Sequence, residues 1–272
     1  MRRHSLKVQA RVTLMTGLAV PISSLLMFTS ACNGPHAQVP ATSSSATPGA
    51  VLATPSPASA VALPQPSASS VAPVAVMAGP HTWSFDDVAA DVPPPGFSFG
   101  RTGRGKAGRW NVHADSGAPS GAHVLAQLDP DDTDCRFPIA VADTPLVKDG
   151  VVSVRCKPVS GRVDQACGLV FRYRDADNYY VTRANALENN VRLYHVAKGN
   201  RQQFAGWNGA VISGHWHSLQ ATAKGDHFVV LWDDKKVIDA HDATFSEPGK
   251  VGVWTKADSV TYFDDLRVEP KP

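Results

Sequence analysis

Gly214-His215-Trp216-His217-Ser218-Leu219-Gln220-Ala221-Thr222-Ala223-Lys224-Gly225-Asp226-His227-Phe228-Val229-Val230-Leu231-Trp232-Asp233-Asp234-Lys235 is the stretch on which the fold turns. Two runs, 216–223 and 227–232, are rich in β-branched and aromatic residues and are separated by Gly225-Asp226, the usual punctuation between strands. The second run stops at Asp233-Asp234-Lys235, where Asp side chains accept local backbone bonds in a turn. Outward from this stretch the same texture recurs at 110–113, 123–128, 136–141, 151–159, 167–174, 179–185, 191–196, 203–207, 236–240, 250–254 and 260–268. Runs this short, with no apolar helical period of ten or more residues, predict an all-β fold. The expected form is a two-sheet antiparallel β-sandwich or jelly roll.

All 6 Trp, all 5 Tyr and nine of the 10 Phe follow residue 80, so the core belongs to residues 81–272. The preceding part reads as address and tether. Arg2, Arg3, Lys7 and Arg11 precede an apolar stretch at 12–28, and Thr29-Ser30-Ala31-Cys32 follows, the layout of a secretory signal peptide over residues 1–31. The 48 residues from Asn33 to Pro80 contain 12 Ala, 9 Pro, 8 Ser and no charged side chain. Such a segment buries too little apolar surface to offset its ordering entropy, and residues 32–80 are expected to form a disordered tether.

The charge follows the same division. The chain has 26 basic and 24 acidic residues; setting aside the four basic residues of the leader leaves 22 against 24, so the folded part is net −2. That excludes a nucleic-acid binder working through a basic face. With 4 Cys the chain is no disulfide scaffold, but Cys156 and Cys167 flank Ser160-Gly161. A hairpin turning there would set them opposite each other for a cross-strand disulfide, and two separate buried thiols fit equally well. Cys135 is then left over and reads as a buried thiol.

Several of these segments resemble known families. Gly214-His215-Trp216-His217-Ser218-Leu219, Gly225-Asp226 and residues 228–235 resemble a pattern of laminin G-like and concanavalin A-like sandwich domains, the concanavalin A-like lectin/glucanase superfamily. Residues 249–254 and 262–268 are similar to that superfamily's last two strands. Gly168-Leu169-Val170-Phe171-Arg172 followed by Asn178-Tyr179-Tyr180-Val181 resembles the central hairpin of bacterial 3-keto-disaccharide hydrolase-like domains, the nearest branch. The resemblance covers most of 82–268 and implies fold more than function, because the superfamily holds lectins, adhesion modules and glycosidases. Cys32 after small residues resembles a lipobox, although Thr29 stands where that family has Leu; Asn33 after it implies an outer-membrane destination. Cleavage after Ala31 to a soluble periplasmic or secreted protein is the alternative.

The chemistry is less legible. Retaining glycosidases need two carboxylates about 5–5.5 Å apart; family 16 enzymes on this fold space theirs alternately along a strand, and Glu188, Glu247 and Glu269 form no such array. Hydrolysis of a 3-keto-disaccharide is implied by the resemblance alone. His215 and His217 flank Trp216 and should share a strand face, suiting a metal or solvent, while Trp216, Leu219 and Ala221 suit the face between the sheets. Phe85-Asp86-Asp87 mirrors Phe263-Asp264-Asp265, and the superfamily often holds a structural calcium, so Asp86 and Asp264 are its candidate ligands; no other cofactor is expected. The densest set of aromatic and planar polar side chains is Arg172, Tyr179, Tyr180, Arg183, Asn185, Asn189, Arg192, Tyr194, Arg201 and Trp207. It suits a carbohydrate site, and its members equally suit cross-strand ion pairs and core packing. On a strand Tyr179, Arg183 and Asn185 share one face and Tyr180 takes the other. The sequence thus points to a non-catalytic, lipid-anchored envelope protein presenting a domain that binds a carbohydrate or other envelope glycan, with an oxidised-sugar hydrolase or lyase as the alternative. The membrane is met only through the lipid, and no nucleic-acid partner is expected.

Overall fold

Period-two alternation dominates one half of the molecule and vanishes in the other, and that difference organises the architecture. The computed structural model describes residues 79–271; the signal segment, Cys32 and the tether lie outside the described residues. The strands are β1 (His81–Trp83), β2 (Phe97–Gly103), β3 (Trp110–Ala114), β4 (His123–Gln127), β5 (Arg136–Ala142), β6 (Gly150–Ser160), β7 (Ala166–Asp175) and β8 (Asn178–Asn185). They continue as β9 (Asn190–Ala197), β10 (Asn200–Asn208), β11 (His217–Lys224), β12 (His227–Trp232), β13 (Lys235–His241), β14 (Lys250–Trp254) and β15 (Val260–Pro270). One sheet runs β13-β12-β11-β6-β15-β4-β3, with β1 added on β15; the other runs β10-β9-β8-β7-β14-β5-β2. The ladders are antiparallel, giving the two-sheet sandwich that the alternating runs predict.

Val152, Val154 and Cys156 of β6 and Leu219 and Ala221 of β11 point inward, while their odd or even neighbours face out. The second sheet answers with Leu169, Phe171, Tyr180, Leu193 and Val253. Burying each such side chain is worth about 1.5–3 kcal/mol. Phe263 and Leu266 close the core on β15.

Two buried arginines clasp the loops at opposite poles. At the near pole, where β6 hands over to β7 and β8 to β9, Arg136 donates to the carbonyls of Lys106 (2.8 Å), Ala107 (3.2 Å) and Ala257 (2.6 Å). At the far pole a register shift after Phe171, with φ of 47° at Arg172, turns that guanidinium under the sandwich edge. There it donates to Lys148 O (2.8 Å), Phe245 O (2.7 Å), Gly225 O (2.6 Å) and the Asp149 carboxylate (3.0 Å).

The structure departs from the sequence expectations in four places. β1 and β2 were not foreseen, because Phe97–Gly103 has two glycines and no β-branched run. β6 and β7 form no hairpin; they lie in different sheets, and the Cys156–Cys167 disulfide (Cα–Cα 6.2 Å) joins the sheets across the core. Cys135 is buried as expected but is engaged by a partner, where an unpartnered thiol was expected. Trp216 is not core: Leu219 is an odd number of residues away, so parity puts Trp216 outside, with the Lys157 ammonium 5.0 Å from its ring, and puts His217 inside, stacked on Trp232.

Candidate functional site

The outer face of the second sheet carries an apolar cluster of its own, separate from the inter-sheet core. Antiparallel register sets its columns. Arg183 stands opposite Gly168 and Arg192, Val181 opposite Val170 and Tyr194, and Trp254 opposite Gly168 and Ile139. Directly opposed residues share a face, so these side chains assemble on one surface. Gly168 makes room for the indole: a Cβ there would lie 2.9 Å from the Trp254 ring. Phe137 stacks on Trp254 at 5.3 Å, and the Tyr179 hydroxyl accepts from Trp254 Nε1 (3.3 Å) and shares a bond with Thr102 (2.7 Å). Burial pushes the Tyr179 phenol up to about 12. It stays neutral and fixes the floor.

At the near pole this floor meets a polar corner. The Arg183 guanidinium donates to Glu188 (2.7 Å), to the Tyr194 hydroxyl (3.1 Å) and to Asn190 Oδ1, while Asn190 Nδ2 donates to Glu188 (3.0 Å). Glu188 is presented by the 186–189 turn, whose Leu187 N–H (2.9 Å) and Glu188 N–H (3.3 Å) donate to Asn185 Oδ1. Asn185 is in turn held by Asp164 (2.5 Å), which pairs with Lys256 at 2.5 Å. Arg201 of β10 packs against this corner, its guanidinium 4.6 Å from the Tyr194 ring and 4.5 Å from Phe137. Burial works to raise the Glu188 carboxyl, yet Arg183, Asn190 and Lys256 outweigh it and hold it below the ordinary carboxylate range. Burial pushes Asp164 up against the pull of Lys256. Arg183 and Asp164 are closed off from water, whereas the Glu188 side chain is 40% exposed and forms the open rim.

An oriented guanidinium, a carboxylate and an amide beside aromatic faces match a sugar's vicinal hydroxyls, which donate and accept at fixed spacing on an apolar ring. The ten residues singled out from sequence divide unevenly over this geometry; Asn189 spends its side-chain oxygen accepting from Val211 N (3.2 Å). Tyr179, Arg183, Asn185, Tyr194 and Arg201 belong to the corner or its floor. Arg192 shares the face but spends its guanidinium on Trp207 O (2.7 Å) and Asn208 (2.7 Å). Arg172 is the far-pole clasp, Trp207 opposes Val191 on the core side, and Tyr180 is core, its hydroxyl donating to Asp242 (2.7 Å) and accepting from Phe245 N (3.0 Å). Sequence reasoning missed Glu188, Asn190 and Trp254. A signal for Trp254 was present in Gly168, since a glycine inside a strand marks close approach.

Asp86 and Asp264 flank one segment. Asp86 accepts from Ala122 N (2.9 Å) and His123 N (3.1 Å), and Asp264 from Ser120 N (3.0 Å). Among the described residues no group of three or more His, Cys, Asp or Glu is arranged to hold a metal ion. An open cleft of about 650 Å³ lies between 105–106 and 129–133. Its acids are engaged: Asp131 accepts from Lys106 N (2.8 Å) and Thr133 N (3.0 Å), and Asp129 from Asp131 N (2.9 Å).

The two-sheet antiparallel sandwich is a concanavalin A-like fold. The carbohydrate-binding module CBM66 from Bacillus subtilis superposes with a TM-score of 0.51 at 22% identity, covering 66% of this chain and 97% of that one. The VIP36 exoplasmic/lumenal domain in its Ca²⁺/Man3GlcNAc-bound form gives 0.47 at 14% identity, covering 71% of this chain and 91% of that one. In sequence, 107 residues are 33% identical to a levanase of Bacillus subtilis (strain 168), a stretch that is 38% of this chain and only 15% of that enzyme. No family model matches the chain.

Proposed function

We propose that the domain is a non-catalytic carbohydrate-binding module and that the near-pole corner takes a sugar residue of its ligand. The observation that carries this reading is the Arg183–Glu188–Asn190–Tyr194 constellation, held at 2.7–3.1 Å by mutual hydrogen bonds and open at Glu188. The likeness to a carbohydrate-binding module and the partial identity to a levanase support it and make levan the first probe. The alternative of a hydrolase on oxidised sugars finds less support: of the corner's two carboxylates, Asp164 is fully buried and bound to Lys256 and Asn185, leaving Glu188 without an accessible partner. Calorimetric titration with levan, other oligosaccharides and 3-keto-disaccharides, with product release followed in parallel, tests it. Saturable binding without turnover is expected; turnover that disappears in Glu188→Gln would replace this reading with the enzymatic one.

The leader and Cys32 support export and anchoring by a lipid in the cell envelope, at the outer membrane. Palmitate labelling of the expressed protein that is lost in Cys32→Ser is expected, and unlabelled, fully soluble wild type would point to a secreted form.

A further inference from the structure

The corner holds more positive than negative charge. Arg183 is paired with Glu188 at 2.7 Å and Lys256 with Asp164 at 2.5 Å, whereas no carboxylate lies within ion-pair distance of Arg201 among the described residues. Arg201 Nη1 is shielded from solvent and has no hydrogen-bond partner. The two guanidiniums bracket one ring, Arg183 at 5.8 Å and Arg201 at 4.6 Å from the Tyr194 centroid, and Arg201 also lies 5.8 Å from Trp254. Stacking on aromatic faces satisfies the plane of a guanidinium and leaves its donor edge unspent. Burial and the neighbouring Arg183 both pull the Arg201 pKa down, so the site holds this charge at a cost that an anion would relieve. All this occurs in a folded region whose formal charge is −2, so the excess is local.

Building on the sugar-site reading above, we propose that the sugar residue bound at this corner carries a carboxylate, as a uronic acid does, and that Arg201 is the residue that reads it. A carboxylate offers two coplanar acceptors that match the free edge of the guanidinium, while Arg183, Glu188 and Asn190 take the ring hydroxyls.

The test uses oligomers of galacturonate, glucuronate and mannuronate, each beside its carboxyl-reduced neutral counterpart, with levan as a neutral reference. Calorimetry on the wild-type protein is expected to show at least one acidic oligomer binding tenfold or more tighter than its reduced counterpart, with that advantage shrinking as NaCl rises. In Arg201→Gln the acidic and neutral affinities are expected to converge, while Arg201→Lys, which keeps the charge but not the planar fork, restores part of the difference; melting curves of both variants check that the fold is intact. If levan or a reduced oligomer binds as well as every acidic one, the carboxylate proposal falls and the sugar site stands. If nothing in either series binds, both fall.

Discussion

The two sheets of this sandwich are built to different rules. In β6, β11 and β12 every second residue is buried and its neighbours are not, the pattern of a sheet with one face on the core and one toward water. In β5 and β8 nearly every residue is buried, and in β7 the first seven are, because the second sheet has apolar clusters on both of its faces. The contrast teaches where to look for function: the first sheet's outer face needs no occupant, whereas the second sheet's outer face spends large aromatic side chains where packing between the sheets does not need them.

Two arginines on opposite sides of the second sheet make the contrast testable. Arg172, on the core side, satisfies its donors with three carbonyls and a carboxylate; Arg183, on the outer side, holds a Glu188 that water already reaches. Arg172→Met should have the largest effect, a loss of about 3–5 kcal/mol, because it strands several buried acceptors at once. Arg183→Met should cost about 1–2 kcal/mol, since Glu188 can rehydrate, yet weaken glycan binding tenfold or more. Urea unfolding and calorimetry on both variants separate the two roles, and equal stability losses with unchanged binding would erase the distinction between the faces.

An effect on the order of 1–3 kcal/mol, smaller than that of Arg172, is expected in the first sheet from Asp264. Burial, with Asp265 nearby, raises its carboxyl to about 6. The folded state therefore holds this proton more tightly than the unfolded chain does. Stability from this group is greatest below about pH 4, falls as pH rises toward 6 and is level above it. Asp264→Asn removes that decline, so its melting temperature relative to wild type should rise between pH 4 and pH 7.5; a gap independent of pH would show that Asp264 titrates normally.

The strand content was legible because β-branched and aromatic runs between Gly, Asn and Asp turns leave little else to build. The site was half legible. Strand parity placed Tyr179, Arg183 and Asn185 together and Tyr180 apart, and the structure has them so. Which side was the outer one could not be read, because alternation reports a face only when one side meets water, and this sheet is apolar on both. Glu188 was set aside for another reason. It was weighed only as a member of a catalytic carboxylate array, and its binding geometry emerges only when Asn185 and Arg183 are seen to hold it in its turn.

The pairing of β1 with the end of β15, His81 against Val268 and Trp83 against Leu266, brings the chain into the domain at the far pole. Glu188, Asp164 and Lys256 crown the other one. A pull applied to the chain ahead of His81 would therefore load a three-residue ladder at the pole away from Glu188, Asp164 and Lys256.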